Sequence, residues 1–309
     1  MKNITIGDKN FTNVKYVKAK ETGTENYANF VDEGEIVAKD IVANGTYNAS
    51  ADGAAGYSEV TVNVPESGGD LSEYFNATGV NGQSSANSTV GNWIQTVKKL
   101  VIKDAKPSSC QYYFAKFRGE TIEFDNFDTS NVTMFRNMFD SAQYLTGLDL
   151  SFFNTSKATD MRYMFTYCGA LTSLNVDNFV TDNVTNFQNM FYSCSKLTSL
   201  NLNHFNVSKS TTLASMFGSC YLLAELDLSN WEIPLVENTG WMFQSCSKLT
   251  KIDIRKFDFS LVTTYTSMFQ GVPNNCLIIV KDDTQKTWIT EKFTNLTNVK
   301  TVAELEASA

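Results

Sequence analysis

Met138-Phe-Asp-Ser-Ala-Gln-Tyr-Leu145-Thr-Gly-Leu148-Asp-Leu150-Ser-Phe-Phe153 decides the fold, because its landmarks recur at a fixed interval. Met-Phe returns at 164–165, 190–191, 216–217, 242–243 and 268–269, always 26 residues on. A period of this length marks a stacked repeat. Leu145 begins a column that continues through Leu171, Leu197, Leu223 and Leu249. Leu148 and Leu150 begin two more, ending at Ile252 and Ile254. One unit cannot bury its apolar side alone, so each must be covered by the next.

The spacing L-x-x-L-x-L is the strand signature of leucine-rich repeats. Its last two members alternate with polar residues, which places one strand face inward and one in water. An aromatic column follows at Phe127, Phe153, Phe179, Phe205, Trp231 and Phe257. Three residues later stand Ser130, Ser156, Asp182, Ser208, Pro234 and Ser260, five of them good helix N-caps. Val132, Phe135, Met138 and Phe139 then fall at helical spacing. The expected unit is a short strand, a turn and a capped helix of two to three turns, an α+β leucine-rich-repeat solenoid.

The register reaches Ile122 and Phe124 before the clear copies, with Tyr112-Tyr113 in the Met-Phe slot, and Ile278 and Val280 after them. That makes seven rungs, about 30 Å of ladder at a strand spacing of roughly 4.8 Å. Residues 282–293 read as a capped amphipathic helix closing the end, and Asn298 to Leu305 as a last strand or turn.

The first hundred residues lack the period and are rich in Gly, Asn, Thr and Ala. Ile4–Ile6 with Val14–Lys18 suggests one hairpin, and Glu35–Val42 with Thr46-Tyr47 across Asn44-Gly45 a second. Tyr57–Val64 reads as a strand with Val60, Val62 and Val64 on one face. Pro65–Asp70 reads as a joint. The expected division is a small β module over 1–66, a linker and N-terminal cap over 67–99, the solenoid over 100–281 and a C-terminal cap over 282–309.

A net charge of −8 and a pI near 4.8 speak against nucleic acid as partner. No apolar run is long enough for a membrane span. The N-terminus lacks the apolar core of a signal peptide, so export by the general route is not expected. Cys168, Cys194, Cys220 and Cys246 form another column, with Ala142 and Val272 in the same slot. A slot that accepts Ala and Val predicts buried free thiols acting as small hydrophobes, not a metal or disulfide ladder. Cys110 and Cys276 are out of phase.

The pattern M-F-x-x-C-x-x-L-x-x-L-[DN]-[LVI]-x-x-F, with Phe127-Asp-Thr-Ser-Asn-Val-Thr133 between copies, resembles the BspA-like leucine-rich repeats of bacterial surface proteins over residues 105–280. Pro234 and Thr211-Thr212-Leu213 depart from that pattern. Asn44 to Pro65, and Asp70-Leu-Ser-Glu-Tyr-Phe75, are similar to modules of tail-associated proteins from phages and prophages of Gram-positive bacteria. The resemblance implies a virion component, in the tail or at host recognition, assembled in the cytoplasm. It implies other virion proteins as partners of the N-terminal module, and homo-oligomers within a particle. A bacterial cell-surface adhesin, a purely structural capsid or tail decoration, and a glycan-active enzyme are the alternatives.

The polar strand face is the expected binding surface, for a bacterial surface protein or glycan. Its middle column is Asp149, Asn175, Asn201, Asp227 and Asp253; the irregular neighbours Glu225, Lys251 and Arg255 are the better candidates for specificity. The regularity of the Asp/Asn column also suits a purely architectural role. A flat ladder supplies too few oxygens for calcium. The single histidine, His204, cannot assemble a catalytic triad, and neither an enzyme nor a cofactor is expected.

Overall fold

The computed structural model describes residues 99–102 and 105–308 with their side chains, and before them only the backbone of short strands, together with Lys103. These strands are β1 (Asn3–Ile6), β2 (Lys9–Phe11), β3 (Val17–Lys18), β4 (Ile36–Val37), β5 (Tyr47–Ala49), β6 (Ala55–Tyr57) and β7 (Glu59–Asn63). The hairpins differ from expectation. β1 pairs with β2, Ile6 opposite Lys9, and Val17 pairs in parallel with Ile36 in β4. β5 pairs with β6, and the Asn44-Gly45 turn lies outside the described residues. The 71–75 turn and the segment around Trp93 lie outside the described residues.

The remaining strands are β8 (Lys99–Lys103), β9 (Thr121–Asp125), β10 (Gly147–Leu148), β11 (Glu225–Asp227), β12 (Lys251–Asp253), β13 (Leu277–Val280) and β14 (Val299–Thr301). Leu148 lies beside Ile122, and Ile252 beside Leu226 and Ile278, as the 26-residue register requires. β7 pairs in parallel with β8, and β8 with β9, so one sheet runs from the N-terminal strands into the first coils. At the far end β14 adds a rung beyond β13. Between β10 and β11, among the described residues, the rungs of Leu174 and Leu200 form no strand.

The molecule is a repeat solenoid, but the coils contain no helix. The segment around each Met-Phe is a run of linked turns. Met138, Asp140 and Ala142 donate to the carbonyls three residues back, at Phe135, Asn137 and Phe139. The alternate amides of Phe135, Asn137, Phe139 and Ser141 donate instead to Asp160, Arg162, Met164 and Thr166 of the next coil. A helix would consume every amide internally; the linked turns leave half of them to bond the stack together. The geometry needs a left-handed residue on each side of Met-Phe, such as Asn137 (φ 56°) and Ser141 (φ 61°). The Phe amide reaches the Met carbonyl of the following coil at 2.8 to 3.0 Å in all six junctions from Phe114 to Phe243. This ladder continues where the strand ladder is interrupted.

The expected N-caps take another role. The amides of Ser130, Ser156, Ser208 and Ser260 donate to the side chains of Asp128, Asn154, Asn206 and Asp258, making tight turns and not helix starts. The first coil is one residue short. Phe114, not Tyr113, stacks on Phe139 at 5.5 Å, so Tyr113-Phe114 fills the Met-Phe slot and Tyr112 takes the left-handed position.

Apolar columns fill the interior. Phe114, Phe139, Phe165, Phe191, Phe217, Phe243 and Phe269 stack with centroids 5.4 to 5.9 Å apart and planes within 20°. Each such burial contributes roughly 1.5–3 kcal/mol. All six cysteines are free and buried. The C-terminal cap is helix α1 (Asp283–Lys292), its first turn closed by Asp282 accepting from the Gln285 amide. Trp288 stacks on Phe259 at 4.2 Å, and Phe293 meets Phe269 edge-on at 5.0 Å. A short helix α2 (Val302–Glu306) follows β14 and is tied to α1 by Lys286 and Glu304 at 2.5 Å.

Candidate functional site on the strand face

Alternation along the strands delivers the expected surface. Leu226 and Leu228 are buried while Glu225 and Asp227 face solvent. Asn201, Glu225, Asp227 and Lys251 come together around a shallow depression of about 270 Å³, with Ser199, Leu200 and Leu226 completing it. Glu225 lies directly in register with Lys251 on the adjacent strand. The depression forms where the strand ladder stops: β11 has β12 on one side and the unpaired Leu200 rung on the other. A carboxylate and an ammonium from adjacent strands, an amide and a second carboxylate thus surround partly exposed leucine carbon.

The Asp/Asn column also has a local task. Oδ1 of Asp149, Asn175, Asn201, Asp227 and Asp253 accepts the amide two residues on, at 2.9, 2.9, 3.4, 3.0 and 3.3 Å. These side chains turn the chain out of the strand. The bond to Ser151 holds the Asp149 carboxyl below its ordinary value. For Asp227 burial pushes upward, but the Ser229 hydroxyl and amide, with the charges of Lys251 and Arg255, outweigh it and leave the group lowered. Asn201 additionally donates to Asp177 at 2.9 Å.

Asp253 departs from expectation: it is 4 % exposed, not solvent-facing. The Arg255 guanidinium grips it, Nε to Oδ1 at 2.9 Å, and covers it. Burying a carboxylate requires such a partner. Arg255, expected as a free recognition residue, is therefore engaged in holding Asp253. Asp149 and Asn175 stay exposed on the earlier coils, away from the depression.

His204 Nε2 lies 3.0 Å from the Val176 carbonyl, and its ring stands edge-on to Phe205 at 5.0 Å. Asn178 fills the same role one coil earlier, reaching the carbonyls of Leu150 and Phe153. Among the described residues no group of three His, Cys, Asp or Glu side chains is placed to hold a metal ion. No helix among them is long and apolar enough to cross a membrane.

Three bulky residues break the repeat consensus. Tyr163, Tyr167 and Trp241 occupy left-handed positions that hold Asn, Ser or Gly in later or neighbouring coils. A bulky side chain at such a position is the signal that would have drawn attention to them.

A family model described as "Mycoplasma protein of unknown function, DUF285" matches residues 108–226 and 170–280. No curated protein matches the chain. Among solved structures, one described as "Crystal structure of TLR13-ssRNA13 complex" is similar at 17% identity and a TM-score of 0.31, over 62% of this chain. This chain spans 30% of the length of that one.

Proposed function

The chain belongs to the DUF285 family, whose repeat here fits the BspA-like leucine-rich pattern, and from that membership we propose a non-enzymatic binding protein that displays its strand face to a ligand on the bacterial envelope. The observation that carries this reading is the depression at the break in the ladder, where Glu225 and Lys251 stand side by side next to Asn201 and Asp227. The stacked core fixes the backbone positions of these residues before any partner arrives. Binding then loses little ordering entropy, and many weak polar contacts add up. A surface protein or a glycan carrying both hydrogen-bonding and charged groups suits this set.

The finer reading is a phage or prophage particle, with the N-terminal strands attaching the solenoid to other virion proteins. It is supported by the resemblance of residues 44–65 to tail-associated modules. The repeat family supports a second reading, an adhesin on the bacterial cell surface. Fractionating the producing cells separates them: the chain co-sediments with induced particles in the first case and with envelopes in the second.

The binding claim is tested with the full chain. Labelled protein incubated with envelope fractions is expected to be retained, and Lys251→Glu is expected to lower retention while the thermal transition is unchanged. Equal retention of the variant would remove the strand face from consideration.

A further inference from the structure

A second surface lies on the opposite run of each coil, along the Met-Phe turn ladder. We propose that this surface is an aromatic platform for a neutral polysaccharide, built from Tyr167, Tyr192 and Trp241. It is distinct from the strand-face depression and does not depend on it.

Three observations meet there. The first is conformational. Each coil carries left-handed residues just before Met and two positions after Phe. Most other coils place short polar residues there, Asn137, Ser141, Asn189, Ser215, Ser245 and Ser267, and only Tyr112, Lys116 and Tyr163 are also bulky. Tyr167 (φ 58°) and Trp241 (φ 57°) enter it as bulky rings, and they are 50% and 40% exposed. A strained backbone carrying an exposed ring gains nothing in the core, so the rings serve the surface.

The second observation is Gly218. Its φ is not in the left-handed region, so its backbone does not call for glycine. What it supplies is room. A Cβ there would stand 2.9 Å from the Tyr192 ring and 3.2 Å from the Trp241 carbonyl. Tyr192 thus lies over Gly218 of the next coil, which on its other side borders the backbone of Trp241. Its other neighbour is Tyr167, edge-on at 5.4 Å. From the Tyr167 coil to the Trp241 coil is three rungs, about 14 Å at the usual strand spacing.

The third is charge. Nineteen per cent of the chain is charged, yet four consecutive segments of this ladder contain no Asp, Glu, Lys or Arg. They are Gln188-Asn-Met-Phe-Tyr-Ser193, Ala214-Ser-Met-Phe-Gly-Ser219, Gly240-Trp-Met-Phe-Gln-Ser245 and Thr266-Ser-Met-Phe-Gln-Gly271. The two coils before them do carry charge here, at Arg136, Asp140 and Arg162. The surface offers rings bordered by amides and hydroxyls, including the Gln244–Gln270 pair at 3.2 Å. At the Tyr167 edge Arg162 is already paired with Asp160 at 2.6 Å, and the four segments beyond it offer an anionic polymer or a charged protein patch no counter-ion. A sugar ring, with apolar C–H faces and a rim of hydroxyls, matches both the rings and the neutral polar groups.

The test uses the full chain in native gels cast with dextran, mannan, galactan or β-glucan, and with an anionic polysaccharide as control. Trp241→Ser and Tyr167→Ser install the residue that neighbouring coils use, so both are expected to fold with an unchanged or higher thermal midpoint. Retardation by at least one neutral polymer is expected, about tenfold weaker in either variant and unaltered in Lys251→Glu. Gly218→Ala, which displaces Tyr192, is expected to weaken it too. Absence of retardation by every neutral polymer, retardation by the anionic polymer alone, or full retention of binding in both serine variants would overturn the proposal.

Discussion

The Cys194 thiol donates to the Phe165 carbonyl of the preceding coil at 3.2 Å. Cys168, Cys220 and Cys246 do the same toward Phe139, Phe191 and Phe217. The column therefore binds neighbouring coils as well as filling space. Burial pushes these thiols up, Cys246 to about 12. The thiolate is the reactive form. Native protein at pH 8 is expected to react with a thiol reagent only as fast as it unfolds, all six groups appearing together in denaturant. Rapid labelling of the folded protein would contradict this.

Phe191 stands in the middle of the ring column, stacked on Phe165 at 5.7 Å and Phe217 at 5.9 Å. Phe191→Ala is expected to destabilise by about 3–5 kcal/mol. Nearest-neighbour coupling should also broaden or split the urea transition. A single sharp transition at the original midpoint would show that the stack does not rely on this column.

Thr155 joins coils through one hydroxyl: it donates to the Val180 carbonyl at 2.9 Å and accepts from the Val180 amide at 2.8 Å. Thr129 and Thr181 repeat the device at Asn154 and Asn206. Thr155→Val keeps the shape and removes both bonds, with an expected loss of roughly 1–3 kcal/mol in chemical denaturation. Thr155→Ser should lose less, and equal losses would assign the effect to packing.

Acid should loosen the turns at the strand ends. Asp149 is lowered from 3.8 by its bonds to Ser151, as are Asp128 and Asp258 by theirs to Ser130 and Ser260. A depressed folded value means the stabilisation is present above the unfolded value and disappears as pH falls through the folded one. The thermal midpoint is expected to be flat above pH about 5 and to fall below about 4. Asp149→Asn, which copies Asn175 and Asn201 of the same column, should lose a little stability at pH 7 and reduce the acid slope. An unchanged slope would exclude Asp149 as a contributor.

The helix expected between the aromatic column and Met-Phe shows what pattern reading can confuse. Val132, Phe135, Met138 and Phe139 are all buried, so the spacing reported the inside correctly. Linked turns with a left-handed residue at every fourth position bury the same set. The distinguishing sign was present in Asn137 and Ser141, Asn189 and Ser193, and Ser215 and Ser219, residues that recur where a helix interior would favour Ala or Leu. On the strand face, the sequence located Asn201, Glu225, Asp227 and Lys251. It could not show that Arg255 is held by a buried Asp253, since that depends on how each side chain is covered.

The 26-residue period alone determined the stacking, the register of the outer rungs and which columns face inward, because apolar residues at a fixed interval leave one way to exclude water. The tertiary structure decided where each backbone amide goes, where the strand ladder stops and which rings meet across coils. Those outcomes depend on partners one coil away, and a hydrogen bond or an aromatic contact exists only once stacking has brought both members together.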